Sequence, residues 1–385
     1  MDERAAFVRI IESGEAVALT CRQFGISRQT GYKWLARYRE SGEAGLLEQS
    51  RAPHSHGRRT AAPVVDALLA LRRKHPTWGA RKLIARLAVT RPNLKLPAAS
   101  TAFDILKREG LVEARKRRRS SAPLTPPKHG ASVPNDVWAT DFKGEFKTRD
   151  GIYCYPLTIQ DYVSRFCLDC RARESTRVKT AKDAFVAVFR EHGLPAGILS
   201  DNGIPFASTG FSGLTGLSAW WVELGISIYR TEPGHPEQNG RLERFHRTLK
   251  KETTRPPKSN KCAQQRAFNR FRTSFNYERP HEALGNHTPA DHYSESRTLL
   301  PRRTPPPDYE SHLEIRRLNA RGELQLNDFR FTVSGSLKGK EVALEPIDDG
   351  TWRLWFYRHP LGTFNERTGL LARPGFKMIV RPRKR

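Results

Sequence analysis

Apolar and polar positions along this chain follow a helical period first, a strand period next, and a mixture of the two in the middle. Over 16–24 the apolar residues recur at helical spacing, Gly25-Ile26-Ser27 interrupts them, and Ser27 is placed to cap a second helix over 28–39. Helix, tight turn, helix in that order predicts a helix-turn-helix unit. After a Pro-, Gly- and His-bearing linker at 50–60, three more helices are predicted over 64–74, 78–87 and 100–108, a second unit of the same kind. The pattern then changes to strands at 137–146, 153–160 and 166–173, with Gly151 at a turn. A helix at 180–192, a strand at 197–200, a helix at 218–224, a strand at 226–230 and helices at 238–251 and 263–275 complete an α/β segment on a mixed sheet. Short, closely spaced strands at 313–318, 323–326, 329–333, 341–345 and 351–357 predict a small β-barrel. The expected fold is therefore multidomain: α-helical helix-turn-helix domains over 1–50 and 60–114, a basic Pro-rich linker over 115–134, an α/β core over 135–298, and a small C-terminal β-barrel over 310–380.

Composition adds a partner to this outline. The 385 residues carry 67 Lys and Arg against 40 Asp and Glu, a formal charge of +27. Such an excess calls for a polyanion, and nucleic acid comes first because neutralised phosphates release their counterions. An anionic membrane surface is the competitor, yet no apolar run approaches the ~20 residues of a membrane span, and the first 14 residues lack a secretory pattern. A soluble, cytoplasmic protein without membrane partners is expected. Five scattered cysteines suit reduced thiols, and Cys167-x-x-Cys170, lacking a second ligand pair, reads as two buried thiols in a strand.

The charge is unevenly distributed. Residues 1–135 hold 26 basic and 11 acidic residues, whereas 136–252 hold 16 and 15. In the first helix-turn-helix, Arg28, Gln29 and Thr30 lead the second helix and Lys33 follows one turn on, so these four are the candidates for base edges or phosphates. In the linker, Arg115, Lys116 and Arg117 open a run of five cations expected to lie along phosphates. Arg316, Arg317, Lys338, Lys340 and Arg358 in the tail are either ordinary surface or a non-specific DNA face.

The nearly neutral segment holds acids where structure alone does not favour them. Asp141 falls inside a predicted strand, from which Asp is depleted. Asp201 ends a strand at the carboxyl edge of the sheet, where α/β sites sit, although Asp201-Asn202-Gly203 is also a common turn sequence. A third acid comes from the helix at 238–251. Leu242, Phe245 and Leu249 form its core stripe, and Glu243 borders that stripe on the same flank as Asn239, His246, Arg247 and Lys250. Glu237 follows Pro236 and reads as a helix-start acid. Three carboxylates from a strand, a strand end and a helix suit a pair of Mg²⁺ ions, hard cations that prefer oxygen ligands.

The strings WATDFKG, LSDNGIPF and GHPEQNGRLERFHRTLK resemble the three signatures of the retroviral-integrase superfamily, and the chain as a whole resembles an insertion-sequence transposase of the integrase-core type. The resemblance implies an RNase H-like core in which Asp141, Asp201 and Glu243 are the catalytic, metal-binding triad, with two Mg²⁺ ions that Mn²⁺ can replace. It implies that Asn239, Arg247 and Lys250 grip the DNA end. The family spacing departs at one point: 35 residues separate Asp201 from Glu237 and 41 separate it from Glu243. A longer loop at 207–218 accounts for the difference, and the helical flank favours Glu243. The expected activity is binding of double-stranded DNA at the element's terminal inverted repeats, strand cleavage, and strand transfer into target DNA, by a homodimer or higher oligomer. A transposase-derived DNA-binding regulator with an inert core would share the reading domains, but would not need the intact acids.

Overall fold

The computed structural model describes residues 2–48, 60–113, 130–232, 238 and 240–382. It divides into two compact units, residues 1–60 and 61–385. Three helices, α1 (Asp2–Glu12), α2 (Val17–Gln23) and α3 (Arg28–Ser41), build the first unit around Phe7, Val8, Cys21, Leu35 and Leu46. The Ser27 side chain accepts the Thr30 N–H at 3.1 Å and caps α3, as its position before the apolar stripe predicts. Gly31 lets the helices approach, because a Cβ there would lie 2.5 Å from the Cys21 sulfur. The first helix, α1, was not among the predicted elements.

The second unit begins with α4 (Ala62–Lys74), α5 (Ala80–Thr90) and α6 (Ala99–Arg108), packed on Leu68, Trp78, Leu83, Leu87, Ala102 and Leu106. The core sheet follows, made of β1 (Val137–Phe142), β2 (Phe146–Lys147), β3 (Tyr153–Asp161), β4 (Cys167–Arg173), β5 (Gly197–Ser200) and β6 (Ser227–Arg230). β1, β3 and β4 pair antiparallel, whereas β1, β5 and β6 run parallel, so the sheet is mixed as expected. The first predicted strand is shorter than its apolar run, because Gly144 turns at φ 87° and leaves only the short β2 beyond it.

Strand alternation gives this sheet two faces. Trp138, Leu157, Ile159, Leu168 and Ile198 point to α7 (Val178–His192) and α8 (Gly216–Glu223), which supply Phe185, Phe189 and Trp221. Val137, Ala139, Cys170 and Leu199 point the other way, to α9 (Gly240–Leu249) and α10 (Lys261–Tyr277), which supply Leu242, Phe245, Leu249, Phe268 and Phe271. The predicted stripe on α9 is thus the face that lies on the sheet. The helix stops earlier than its pattern suggests and continues as a π turn, Lys250–Thr254. Thr253 and Thr254 donate their hydroxyls back to the Leu249 and Lys250 carbonyls at 2.7 and 3.1 Å, and this back-bonding loosens the α ladder.

That turn joins the helical bundle α4–α6 to the core. Glu252 Oε1 accepts from Thr77 Oγ1 at 2.5 Å and from the Arg279 guanidinium at 2.6 Å, and Arg279 lies over the Trp78 ring at 5.9 Å.

The tail was expected to close into a barrel and does not. Strands β7 (Glu314–Arg317), β10 (Glu341–Asp348), β11 (Thr351–Phe356), β12 (His359–Asn365), β13 (Leu370–Arg373) and β14 (Phe376–Ile379) form one open antiparallel sheet with β7 and β14 at its edges. The hairpin of β8 (Glu323–Leu326) and β9 (Phe329–Thr332) is a separate two-stranded sheet. Phe329 and Phe331 of the hairpin pack on Phe364, edge-on and tilted, with centroids 5.2 and 4.6 Å away, so side-chain packing covers the face that hydrogen bonds would have had to enclose. The last three strands were not predicted, because their Gly- and Pro-bearing segments lack a clean alternation. Phe211, Leu214, Ala219 and Val222 of the core segment share the hydrophobic cluster of this tail sheet.

Candidate active site

Parallel pairing places two acids side by side. Ala139 of β1 stands opposite Leu199 of β5, and Asp141 and Asp201 each follow two residues later. With a period of two, both carboxylates continue the face that carries Ala139 and Leu199, the face on which α9 lies. They emerge at the carboxyl edge of the parallel strands, where the sheet ends and ligands of α/β folds sit. Asp201 also accepts the Gly203 N–H at 3.1 Å, closing the Asp-Asn-Gly turn. Its turn role and its place at the sheet edge coexist.

Glu243 stands in the first turn of α9, exposed, and His246 follows it one turn on. The Asp141 carboxyl is pushed up to about 7, first by burial and then by the neighbouring Asp201 charge, with Glu243 adding to it. All three acids therefore share one electrostatic neighbourhood. The side chain of Asp141 is only 24% exposed. Among the described residues no three carboxylate, imidazole or thiolate groups converge as a finished metal cage. The donor set is nevertheless oxygen-rich and crowded with like charge, the chemistry that a hard divalent cation relieves.

His246 is the group that sequence reasoning undervalued. It was placed on the polar flank with Glu243, and it occupies the buried, sheet-side margin of that flank. Its Nε2 lies 2.7 Å from Thr158 Oγ1, and the Thr158 hydroxyl in turn donates to the Asp141 carbonyl at 3.1 Å. With that hydroxyl proton committed, Nε2 is the donor to Thr158, and Nδ1 faces Asp141 Oδ2 at 3.8 Å. Burial and then the Lys143 charge hold the imidazole down at about 3, so the ring is neutral. Thr158 stands directly across from Asp141 on β3. A His one turn after a flank acid, opposite a strand Thr, was the available signal.

A cationic rim surrounds the acids. Lys143, two residues after Asp141, has its pKa lowered by burial and then by Lys250, with Arg255 also contributing. Lys250 thus lies near Lys143, and neither Lys143 nor Arg255 stood out in the sequence. Arg247 is exposed on α9. Asn239 and the rival acid Glu237 lie outside the described residues, as do Arg115, Lys116 and Arg117. On α3, Arg28, Gln29 and Lys33 are exposed and Thr30 is half-buried against its cap.

Other acids and thiols resolve as structure. Asp161 is fully buried and accepts from Asn135 N at 2.8 Å, Ser164 N at 2.7 Å and Ser164 Oγ at 2.6 Å, which closes the β3–β4 turn. Cys167 and Cys170 are buried, and burial raises both thiols well above their ordinary range. No described helix is long and apolar enough to cross a membrane.

Comparison with known proteins agrees with this layout. Two families described as "Integrase core domain" match residues 131–236 and 224–289. A "Helix-turn-helix domain" matches 3–54, and a "Homeodomain-like domain" matches 30–106. An uncharacterized 39.2 kDa protein of insertion element IS476 from Xanthomonas euvesicatoria is 28% identical over 297 residues, covering 74% of this chain and 80% of that protein. A 31.7 kDa protein of insertion element IS407 from Burkholderia multivorans is 24% identical over 191 residues, 49% of this chain and 66% of that one. Among solved structures, the simian T-cell lymphotropic virus intasome in complex with a PP2A regulatory subunit matches at 16% identity and TM-score 0.37, covering 76% of this chain and 97% of that one. Helix-turn-helix families followed by integrase-core families match in succession along the chain, and its similarity to proteins of insertion elements supports an insertion-sequence transposase of the retroviral-integrase superfamily.

Proposed function

We propose that the chain is a DNA transposase that binds the terminal inverted repeats of its own insertion sequence and catalyses metal-dependent strand cleavage and strand transfer. The observation that carries this reading is the register of β1 and β5, which sets Asp141 and Asp201 side by side on the face covered by the helix of Glu243. These three acids are the ligands proposed for two Mg²⁺ ions, for which Mn²⁺ is the natural substitute. Bound there, such ions would activate the attacking oxygen, water in cleavage and a 3′-hydroxyl in strand transfer, and stabilise the leaving oxygen.

The protein's own groups do the rest. Asp141 is fixed by β1 and Asp201 by the turn that ends β5, so their oxygens need no search for position. Neutral His246, held by Thr158, fills the space behind Asp141 without adding a competing positive charge. Lys143, Lys250 and Arg255 draw the phosphodiester toward the acids, and Arg247 extends that rim along α9. Arg28, Gln29, Thr30 and Lys33 of α3 are proposed to read the repeat in a major groove, with Arg115, Lys116, Arg117 and Asn239 as further DNA contacts. Because two element ends must be joined to one target, the working form is proposed to be a dimer or larger assembly on DNA.

The test is cleavage of a duplex carrying the element end, with Mg²⁺ and the full chain. Glu243→Gln is expected to lower cleavage and strand transfer by about a thousandfold or more, the several kcal/mol that metal-borne charge stabilisation supplies. Glu237→Gln is expected to retain both reactions. The reverse outcome would move the third ligand to Glu237.

A further inference from the structure

A second group of cations lies beside α9, beyond the edge that carries Glu243. Arg241 and Arg244 are three residues apart, about 60° around the helix, and Arg241 points about 160° from Glu243. Arg241 is anchored, since its guanidinium donates to the Tyr162 carbonyl at 2.8 Å and lies 4.0 Å from the centre of the Tyr162 ring. Arg244 is exposed. Facing them is Arg165, in the turn between β3 and β4.

Arg165 is held there by unusual means. It takes a left-handed backbone conformation, φ 64°, uncommon for a residue with a side chain. Its N–H is fixed to the Asp161 carbonyl at 3.0 Å, and its carbonyl accepts the Gln160 side chain at 2.8 Å. The turn thus spends several hydrogen bonds on presenting one guanidinium. The Nε of that guanidinium is buried and has no hydrogen-bond partner. Arg241 and Arg244 press on it with like charge, and among the described residues no carboxylate pairs with any of the three. Among the described residues, three like charges thus share one surface, the arrangement that a phosphodiester backbone relieves.

The cluster extends toward the second helical bundle. The half-buried His281 imidazole lies among these groups, its pKa lowered first by burial and then by Lys82 of α5, Arg279 and Arg165. Arg279 is already paired with Glu252, and Glu282 lies 3.7 Å from Arg81, so the acids on this side are partly committed. Lys82 itself is desolvated and lowered to about 8, by burial first and then by Arg279.

We propose that Arg165, Arg241 and Arg244, continued by Lys82, form a phosphate track that carries the DNA backbone between the helical bundle α4–α6 and the catalytic helix α9. The ligand class is the phosphodiester backbone, contacted without regard to sequence. The inference rests on the reading that this chain acts on DNA, and it continues the Arg247 edge of α9 further round the helix, through Arg244 to Arg241.

The experiment is a salt series of duplex binding by the full chain, on an element-end duplex and on a scrambled duplex of equal length. Arg244→Gln removes an exposed group and leaves the fold intact. Arg165→Asn keeps a residue that tolerates the left-handed backbone. Each substitution is expected to lower the slope of log affinity against log salt by about 0.9, and the pair by about 1.8, equally on both duplexes. An unchanged slope in Arg244→Gln and in the pair, with thermal unfolding like the wild type, overturns the track. Should Arg165→Asn unfold, Arg244→Gln and Arg241→Gln decide the matter by the same slope. A wild-type chain that binds no duplex overturns both this inference and the proposed function. A chain that binds with the arginine-dependent slope but never cuts supports the track and overturns the nuclease reading alone.

Discussion

The core sheet and the C-terminal sheet have six strands each, and the acids at the carboxyl edge of the first are treated unlike those of the second. In the C-terminal sheet, Glu345 accepts from Trp355 Nε1 at 2.9 Å and pairs with Arg353 at 3.2 Å, while Glu366 accepts from Trp352 Nε1 at 3.0 Å. These acids lie at the surface with donors beside them, and the interior is Leu344, Leu354, Phe356 and Phe364. In the core sheet, Asp141 is mostly buried, meets a neutral imidazole, and stands beside another acid. One sheet is arranged for stability, with its charges satisfied locally. The other keeps a destabilising arrangement that a bound cation or a proton would relieve, the pattern expected where function rather than folding set the residues.

The largest effect that could break this contrast concerns Asp141. Asp141→Asn is expected to abolish cleavage, a loss of about a thousandfold or more, yet to stabilise the metal-free protein. The sign follows from its raised pKa. The unfolded carboxyl ionises near 3.8 and the folded one near about 7, so stability is lost as pH rises through that window and stays lost above it. Thermal unfolding in chelator at pH 8 should therefore show a higher Tm for Asp141→Asn than for wild type. Glu345→Gln should alter neither activity nor that pH trend. A lower Tm for Asp141→Asn would remove the argument that the core acids are held against folding.

Next in size is Phe364→Ala, which empties the position between the open sheet and its covering hairpin. A loss of about 3–5 kcal/mol is expected in denaturant unfolding of the tail transition, as for other buried Phe truncations. Strand cleavage per folded molecule should persist. Retained stability would mean that the hairpin is not what closes this core.

The smallest effect separates the sheets by pH. His359, on β12 beside the β6 edge, is lowered to about 4 from 6.5 by burial and then by Arg230. As pH falls from 6.5 toward 4 the unfolded chain takes up a proton that the folded one refuses, so stability declines across that window. Tm should fall by a few degrees between pH 7 and pH 5, and His359→Gln should remove that part of the decline. An identical decline in the variant would assign it to other groups.

Much of this molecule is legible in one dimension. Ser27 caps α3 because a hydroxyl before an apolar stripe satisfies an orphan N–H, a local matter. The stripe Leu242, Phe245, Leu249 identifies the buried face of α9 because helical period follows from backbone geometry alone. Asp141 and Asp201 stood out because their residue type conflicts with their surroundings. The barrel did not hold, because closing a sheet depends on edge pairing between β7 and β14, residues more than fifty positions apart, and on the hairpin that packs over the sheet instead.

What the linear pattern contained, then, were features set by neighbours within one helical turn or one strand: the Ser27 cap, the helical and strand periods, the conflicting acids, the uneven charge. The three-dimensional chain alone set the parallel register that aligns Asp141 with Asp201, the burial that makes His246 neutral beside them, and the meeting of Arg165 with Arg241 and Arg244. Each of these joins residues forty or more apart or depends on loss of water, and both desolvation and long-range pairing arise only when distant segments pack.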